Sequence, residues 1–262
     1  MARKHLAGRF PSRPAAGGVR LFCFPFAGGG ASIYSPWRQV FPESVEVVPV
    51  QLPGRENRLT TSPFQEMGSL VHWLFEEVTP LLDKPFVFFG HSMGAQVAFE
   101  LASLVRTRLG LEPLHFFASA CHAPHLRTPP PLIGGLTDEA FLRRIADLGG
   151  TPEAVLRDKE LTRLVLPVLR ADFFLTESYR TDVAEPLGCP VTALCGSEDY
   201  RYNEELIRPW RRHSTGPFSF HVIKGGHFFL RESQGAVLEK VGSVVDELLQ
   251  AAYVRGEGGS VL

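Results

Sequence analysis

No apolar run in this chain is long enough to cross a bilayer. Its first stretch, Met1 to Gly18, carries Arg3, Lys4, Arg9 and Arg13 but lacks the apolar core of a secretory signal. A membrane role is thereby set aside, and a cytoplasmic location is expected. Charge of one sign is also missing. The 27 basic side chains face 28 acidic ones, a net charge of −1, so no global field draws the molecule to nucleic acid or an anionic surface. Cysteine is scarce: Cys23, Cys121, Cys189 and Cys195 show no metal-site spacing, and two of them lie inside apolar runs. Buried free thiols are expected, not a disulfide framework. There are no internal repeats. What remains, 44% hydrophobic and 21% charged over 262 residues, has material for one large α/β domain or two small ones.

The periodicities alternate. Val19 to Phe24 is a run of strand formers that ends in a glycine turn, Pro25-Phe26-Ala27-Gly28-Gly29-Gly30. A short helix is predicted around Pro36 to Val40, and a strand from Val45 to Leu52, placed near a sheet edge by Pro49. Phe64, Met67, Leu70, Val71, Leu74, Phe75 and Val78 recur at helical spacing. Pro85 to Phe89 and Pro113 to Ala120 read as further strands, with a helical run between them. Strand, helix, strand, helix, strand implies a parallel sheet with helices on its faces. The alternation breaks at Pro124. Pro129-Pro130-Pro131 reads as a hinge, and helical runs from Thr137 to about Tyr179 stand between two strands of the sheet. Residues 127–185 are therefore expected to form a helical lid inserted into a single domain of residues 19–255. A flexible leader (1–18) precedes it and a loose tail (256–262) follows. Pro190 to Gly196 and Phe218 to Ile223 complete the strands, and a final helix is predicted from about Gly235 to Tyr253.

One pentapeptide organises the rest. Gly90-His91-Ser92-Met93-Gly94 lies between an apolar strand and a helix, the context that makes G-x-S-x-G a nucleophile elbow. The turn is sharp enough to crowd the positions two before and two after the serine, hence glycine at both. A serine hydroxyl is a poor nucleophile at neutral pH. It needs a base to take its proton and a carboxylate to orient that base. In folds with this elbow the order is serine, acid, histidine. Asp199 follows the first strand after the lid, and His227 lies in the glycine-rich loop after the last strand. Both fall at strand C-termini, the edge where open α/β sheets place their sites.

Glu198 adjoins Asp199 and stays open as the acid. His213 and His221 compete with His227 from a polar segment and from within a strand. Cys121, His122 and His125 lack a fourth ligand at recognised spacing, so no metal is assigned. No cofactor is called for. The oxyanion of an acyl-transfer intermediate needs N–H donors, and these are assigned to the backbone of Met93 and of Ala27, with Phe26 as the alternative to Ala27.

Six stretches together resemble the type II thioesterases, the discrete editing enzymes of polyketide and nonribosomal peptide synthases: Phe24-Pro25-Phe26-Ala27-Gly28-Gly29, Gln51-Leu52-Pro53-Gly54-Arg55, the elbow, Leu148-Gly149-Gly150-Thr151-Pro152, Leu169-Arg170-Ala171-Asp172-Phe173 and Gly225-Gly226-His227-Phe228. The resemblance implies an α/β-hydrolase fold and a mostly parallel central sheet. It implies hydrolysis of acyl thioesters from the phosphopantetheine arm of an acyl or peptidyl carrier protein, and its triad falls on Ser92, Asp199 and His227. Many members carry histidine or tryptophan where this chain has Phe26. The acyl chamber is expected to be walled by Phe26 and by the lid residues Phe141, Leu142, Leu166, Phe173 and Phe174. Arg201, Arg208, Arg211 and Arg212 are candidates for meeting an acidic carrier. A monomer that binds neither nucleic acid nor membrane is expected. A small-molecule carboxylesterase with the same triad, an inactive carrier-binding module and an acyltransferase stay open as alternatives.

Overall fold

The computed structural model describes residues 18–128, 132–181 and 185–257. The leader before residue 18, the three prolines 129–131 and the tail beyond residue 257 lie outside them. Six parallel strands form one sheet in the order β2-β1-β3-β4-β5-β6. They are β1 (Val19–Phe24), β2 (Val45–Pro49), β3 (Phe86–His91), β4 (His115–Ser119), β5 (Val191–Gly196) and β6 (Phe218–Ile223). β2 is an edge strand, where Pro49 faces only Cys23 of β1. There its missing N–H costs the ladder nothing on the open side.

Side chains alternate between the two faces with the period of a strand. Phe22, Phe24, Phe86, Phe88 and Phe116 pack on one side with α1 (Met67–Val78) and α2 (Met93–Leu109). Leu21, Cys23, Val87, Phe89 and Phe117 pack on the other, with Trp37 of a 3-10 helix (Ala31–Gln39) and with α8 (Gln234–Glu257). Burial on both faces is why these strands read as continuous apolar runs. All four cysteines are free and buried in these layers.

Between β4 and β5 stand α3 (Asp138–Leu148), α4 (Glu153–Arg157) and α5 (Lys159–Ser178). Thr137 caps α3 by accepting the Ala140 N–H, and Asp158 caps α5 by accepting from Glu160 and Leu161. This lid has a small core of its own, Ile133, Phe141, Ile145 and Leu169, separate from the two layers of the sheet. After β5 comes a short α6 (Glu204–Ile207) running into a 3-10 helix (Arg208–His213), as Pro209 denies the α-helix an i−4 hydrogen bond. A one-turn α7 (Phe229–Glu232) follows the His227 loop. Among the described residues, no helix is long and apolar enough to cross a membrane.

Candidate active site

The elbow is built at the C-terminal end of β3. Ser92 sits at φ 55° and ψ −123°, a conformation that side chains seldom adopt and that costs on the order of 1–3 kcal/mol. Two anchors hold it there: its N–H donates to Ser119 O at 2.7 Å, and its carbonyl accepts the Ala95 N–H at 2.9 Å. The strained turn lifts the hydroxyl off the sheet edge toward the loops after β5 and β6.

His227 meets it there. The Ser92 hydroxyl lies 2.9 Å from His227 Nε2, and His227 Nδ1 lies 2.7 Å from Asp199 Oδ2. An ionised carboxylate only accepts, so Nδ1 carries the proton and Nε2 is left to accept from the serine. Burial alone would raise the Asp199 carboxyl. The hydrogen bond and charge of His227 and the N–H groups of Tyr202 and Arg201 outweigh it and hold Asp199 below the usual carboxylate range. The neighbouring Glu198 has an exposed side chain. His213 is buried against Trp210 and hydrogen-bonds His125 at 2.8 Å, and His221 stays within β6. The structure thus brings together Ser92, Asp199 and His227, and none of the three alternatives.

His91, the residue before Ser92, turns away from the hydroxyl and hydrogen-bonds beside the elbow. It is fully buried. Its Nε2–H donates to the backbone carbonyl of His227 at 2.9 Å, and its Nδ1 accepts from the Ser119 hydroxyl at 2.8 Å. A carbonyl only accepts, so the tautomer is determined. Burial first, then the nearby His227, pushes the imidazole down to about 3, and it stays neutral. Burial likewise pushes His115 and His213 down to about 4. In the unfolded chain all three titrate near 6.5. Their contribution to stability is therefore complete above pH 6.5 and is lost as pH falls toward 4. At pH 5 each forfeits on the order of 2 kcal/mol. Together they forfeit about 6 kcal/mol, so the melting temperature is expected to drop by about 15 °C between pH 7.5 and pH 5.0. Scanning calorimetry at the two pH values checks this, and a melting temperature that does not move contradicts it.

The N–H groups of Met93 and Ala27 form no hydrogen bond among the described residues. Met93 opens α2, where the first N–H groups have no partner within the helix. Ala27 stands in the glycine turn, and the next N–H along, that of Gly28, is taken by Asp172 at 2.7 Å.

A cavity opens beside Ser92 and His227. Phe26, Ile145, Leu148, Leu169, Phe173 and Phe228 make its apolar wall, and Thr176, Glu177 and Tyr202 add polar groups. Of the six residues assigned to an acyl chamber, Phe26 and Phe173 line this cavity and four do not; Leu166 packs against the lid's own core. Phe141 is fully buried behind Phe173, packed edge-on at 5.6 Å and capped by the Arg170 guanidinium at 4.2 Å. Phe174 is 52% exposed on the outside of α5, and Leu142 is half-buried on α3 away from the cavity. Adjacent helical positions point about 100° apart, and here that turns Phe174 outward while Phe173 faces the cavity. A second hollow of about 290 Å³ shares Gly150, Thr151 and Leu169 with the first, and lies between the Gly28–Gly30 turn and Val165 and Val168 of the lid.

The four arginines have different surroundings. Arg201 turns into the cavity wall, Arg208 is paired with Glu204 at 2.7 Å and covers Phe220, and Arg211 and Arg212 are exposed. Cys121, His122 and His125 point to separate partners, and among the described residues no three metal-binding side chains gather.

A model of the thioesterase domain family matches residues 19–244. A protein named linear gramicidin dehydrogenase LgrE, from Brevibacillus parabrevis, is 40% identical over 251 residues, 95% of this chain and 94% of its own length. The RedJ thioesterase from the prodiginine pathway of Streptomyces coelicolor superposes with a TM-score of 0.82 at 38% identity, covering 90% of this chain and 89% of that one. BorB, a type II thioesterase from the borrelidin biosynthetic cluster, gives a TM-score of 0.81 at 35% identity over 89% of this chain and 95% of its own.

Proposed function

The chain belongs to the thioesterase domain family, and from that premise we propose that it hydrolyses acyl thioesters from the phosphopantetheine arm of carrier proteins, through an acyl-serine on Ser92. The observation that carries this reading is the unbroken chain Ser92, His227, Asp199 at 2.9 and 2.7 Å beside an apolar cavity. The likeness to RedJ and BorB supports the choice of a carrier-bound substrate.

Ser92 Oγ attacks the thioester carbonyl carbon while its proton passes to His227 Nε2. The carbonyl oxygen becomes an oxyanion, held by the N–H groups of Met93 and Ala27. Collapse breaks the C–S bond, and the arm leaves as a thiol with the proton from His227. Thiols ionise near 8.5, far below alcohols, so this step asks little of the acid. Water then gives a proton to His227 as it attacks the acyl-serine. Ser92 recovers that proton when the carboxylic acid departs. Acyl group and arm lie on opposite sides of the reacting carbonyl and need separate room. The cavity lined by Phe26 and Phe173 suits the acyl group, and the adjoining hollow beside Gly150 and Thr151 suits the arm.

The name of the LgrE relative speaks of a dehydrogenase. The glycine turn of this chain does not favour a dinucleotide. Gly28 and Gly30 are followed by Ile33 where a G-x-G-x-x-G turn has its third glycine. The N–H groups of Gly28, Ala31 and Ser32 are already taken by Asp172, Gln51 and Glu56.

Mass spectrometry of carrier proteins loaded with a panel of acyl groups tests the proposal. The enzyme is expected to return free pantetheine thiol from acyl carriers at least about 10²-fold faster than it cleaves the matching simple oxygen esters, measured as kcat/KM. The Ser92→Ala variant should leave every acyl carrier intact. Equal or faster cleavage of the simple esters would make the protein a carboxylesterase instead.

A further inference from the structure

Two stretches have no part in the reaction as described: Pro53-Gly54-Arg55, in the loop after β2, and Arg170-Ala171-Asp172, on lid helix α5. They meet in space. Arg55 and Asp172 are 117 residues apart in sequence, yet Arg55 Nη1 donates to Asp172 Oδ2 at 2.6 Å and Nη2 to Oδ1 at 2.9 Å. Their side chains are 8% and 5% exposed.

The pair grips the glycine turn from both polarities. Asp172 Oδ2 accepts the Gly28 N–H at 2.7 Å, while Arg55 Nη1 donates to the Gly29 carbonyl at 3.1 Å. Ala27 lies between the two peptide planes that this grip determines. The plane after it contains the Gly28 N–H held by Asp172. The plane before it contains the Phe26 carbonyl, which accepts the Gly29 N–H at 2.8 Å, and Gly29 is the residue that Arg55 holds by its carbonyl. Peptide planes are rigid. With the planes on both sides of its Cα pinned, Ala27 has no freedom left to swing its own N–H. Gln51 completes the frame: it accepts the Ala31 N–H at 3.0 Å and donates to the Arg55 carbonyl at 3.2 Å.

We propose that Arg55 and Asp172 are positioning residues that aim the Ala27 N–H at the oxyanion, and that they tie this aim to a seated lid. The inference rests on the acyl-transfer reading above. Its chemical logic explains why a pair is needed. A lone carboxylate this close to a developing oxyanion would oppose it, and the bidentate guanidinium cancels that charge while keeping the acceptor atoms in place. Asp172 belongs to α5, so when α5 lifts, the Gly28 N–H loses its acceptor and the oxyanion donor loses its aim. Acyl transfer is thereby confined to the state in which the lid covers the chamber.

The test uses the full chain and a carrier-free substrate, a short acyl thioester of N-acetylcysteamine. It is read together with the affinity of a matching trifluoromethyl ketone. That ketone takes the Ser92 oxygen at its carbonyl carbon, passes the serine proton to His227 and leaves an oxyanion in the hole. For Asp172→Asn, kcat is expected to fall about 30-fold, less than the ~10²–10³ of a lost donor. KM should stay within about threefold, since only the transition-state interaction is weakened. Affinity for the ketone should fall in step with kcat, while affinity for the unreactive acyl amide is unchanged. The double variant Arg55→Met/Asp172→Leu should lose about as much as the single one, because the two side chains act as a unit. If Asp172→Asn does not fold, Arg55→Lys is read on the same two quantities, since lysine keeps the charge and loses the fork.

A kcat within about twofold of wild type in the folded variants overturns the proposal, as does a kcat loss with ketone affinity intact. Wild type that fails to turn over the thioester, or turns it over without needing Ser92, overturns the functional reading instead. An active, Ser92-dependent wild type with unimpaired variants overturns this inference alone.

Discussion

Replacing Ser92 by alanine is expected to lower kcat for thioester hydrolysis by about 10⁶-fold, with substrate binding nearly unchanged. The size follows from what the hydroxyl does. In the proposed mechanism its oxygen alone forms the covalent intermediate, and it stands 2.9 Å from His227 Nε2. What survives is electrostatic help to water from the Met93 and Ala27 N–H groups, a small residue of the whole. Asp199→Asn should cost about 10⁴, because an amide that donates to Nδ1 traps the imidazole in the wrong tautomer and leaves Nε2 protonated toward the serine. The double variant should be no slower than Ser92→Ala, as the residues act as one device. Single-turnover kinetics on the N-acetylcysteamine thioester measure all three. Additive losses would show that Asp199 acts apart from Ser92. The strain at Ser92 supplies an internal check on folding. At φ 55° glycine is comfortable and alanine is not, so Ser92→Gly should be about 1 kcal/mol more stable than Ser92→Ala in urea titrations.

Gly94→Ala is expected to be less damaging to activity and far worse for stability. A Cβ at Gly94 falls on the carbonyl oxygen of Phe24, 2.6 Å from its carbon and 2.7 Å from Pro25 O. These are backbone atoms at the end of β1, a strand paired on both sides, and no rotamer change moves them away. The relief is for α2 to back off the sheet and carry Ser92 with it. A loss above about 3 kcal/mol is expected, with a melting temperature lower by about 10 °C. A displacement of about 1 Å at the nucleophile costs on the order of 10² in kcat. The control is Gly68→Ala in α1, where nothing lies within 4 Å of the added methyl. Helix propensity should make that variant about 0.5–1 kcal/mol more stable. Thermal melts and kcat of the two variants form the comparison. A Gly94→Ala protein with wild-type melting temperature would mean that the elbow does not need its close approach to β1.

Much of this molecule was legible before any coordinates. The strands are short apolar runs because both faces of the sheet are covered, and the change from period two to helical spacing marked the layers. The elbow was legible because its constraint is local: a strand, a turn too tight for Cβ atoms and a helix occupy consecutive residues. Asp199 and His227 were legible at one remove, since a parallel sheet delivers all its strand C-termini to one edge. The wall of the chamber was harder. Phe141, Phe173 and Phe174 have the same composition signal, and only the seating of α3 on α5 decides that Phe173 faces the cavity, Phe141 supports it from behind and Phe174 faces out. The lid arginine-aspartate motif gave no hint that its carboxylate holds the Gly28 N–H of the glycine turn.

By itself, then, the amino-acid sequence determined the parts whose physics is short-ranged: the alternating layers, the lid as an insertion, the nucleophile on its elbow, and the order of the residues that could serve it. Tertiary structure alone decided between Asp199 and Glu198, made His91 a neutral brace for the His227 backbone, and joined Arg55 to Asp172 across 117 residues. The reason is the same in each case. A hydrogen bond depends on distances of a few tenths of an ångström and on direction. Those are set by how whole elements seat against one another, which no local pattern of residues encodes.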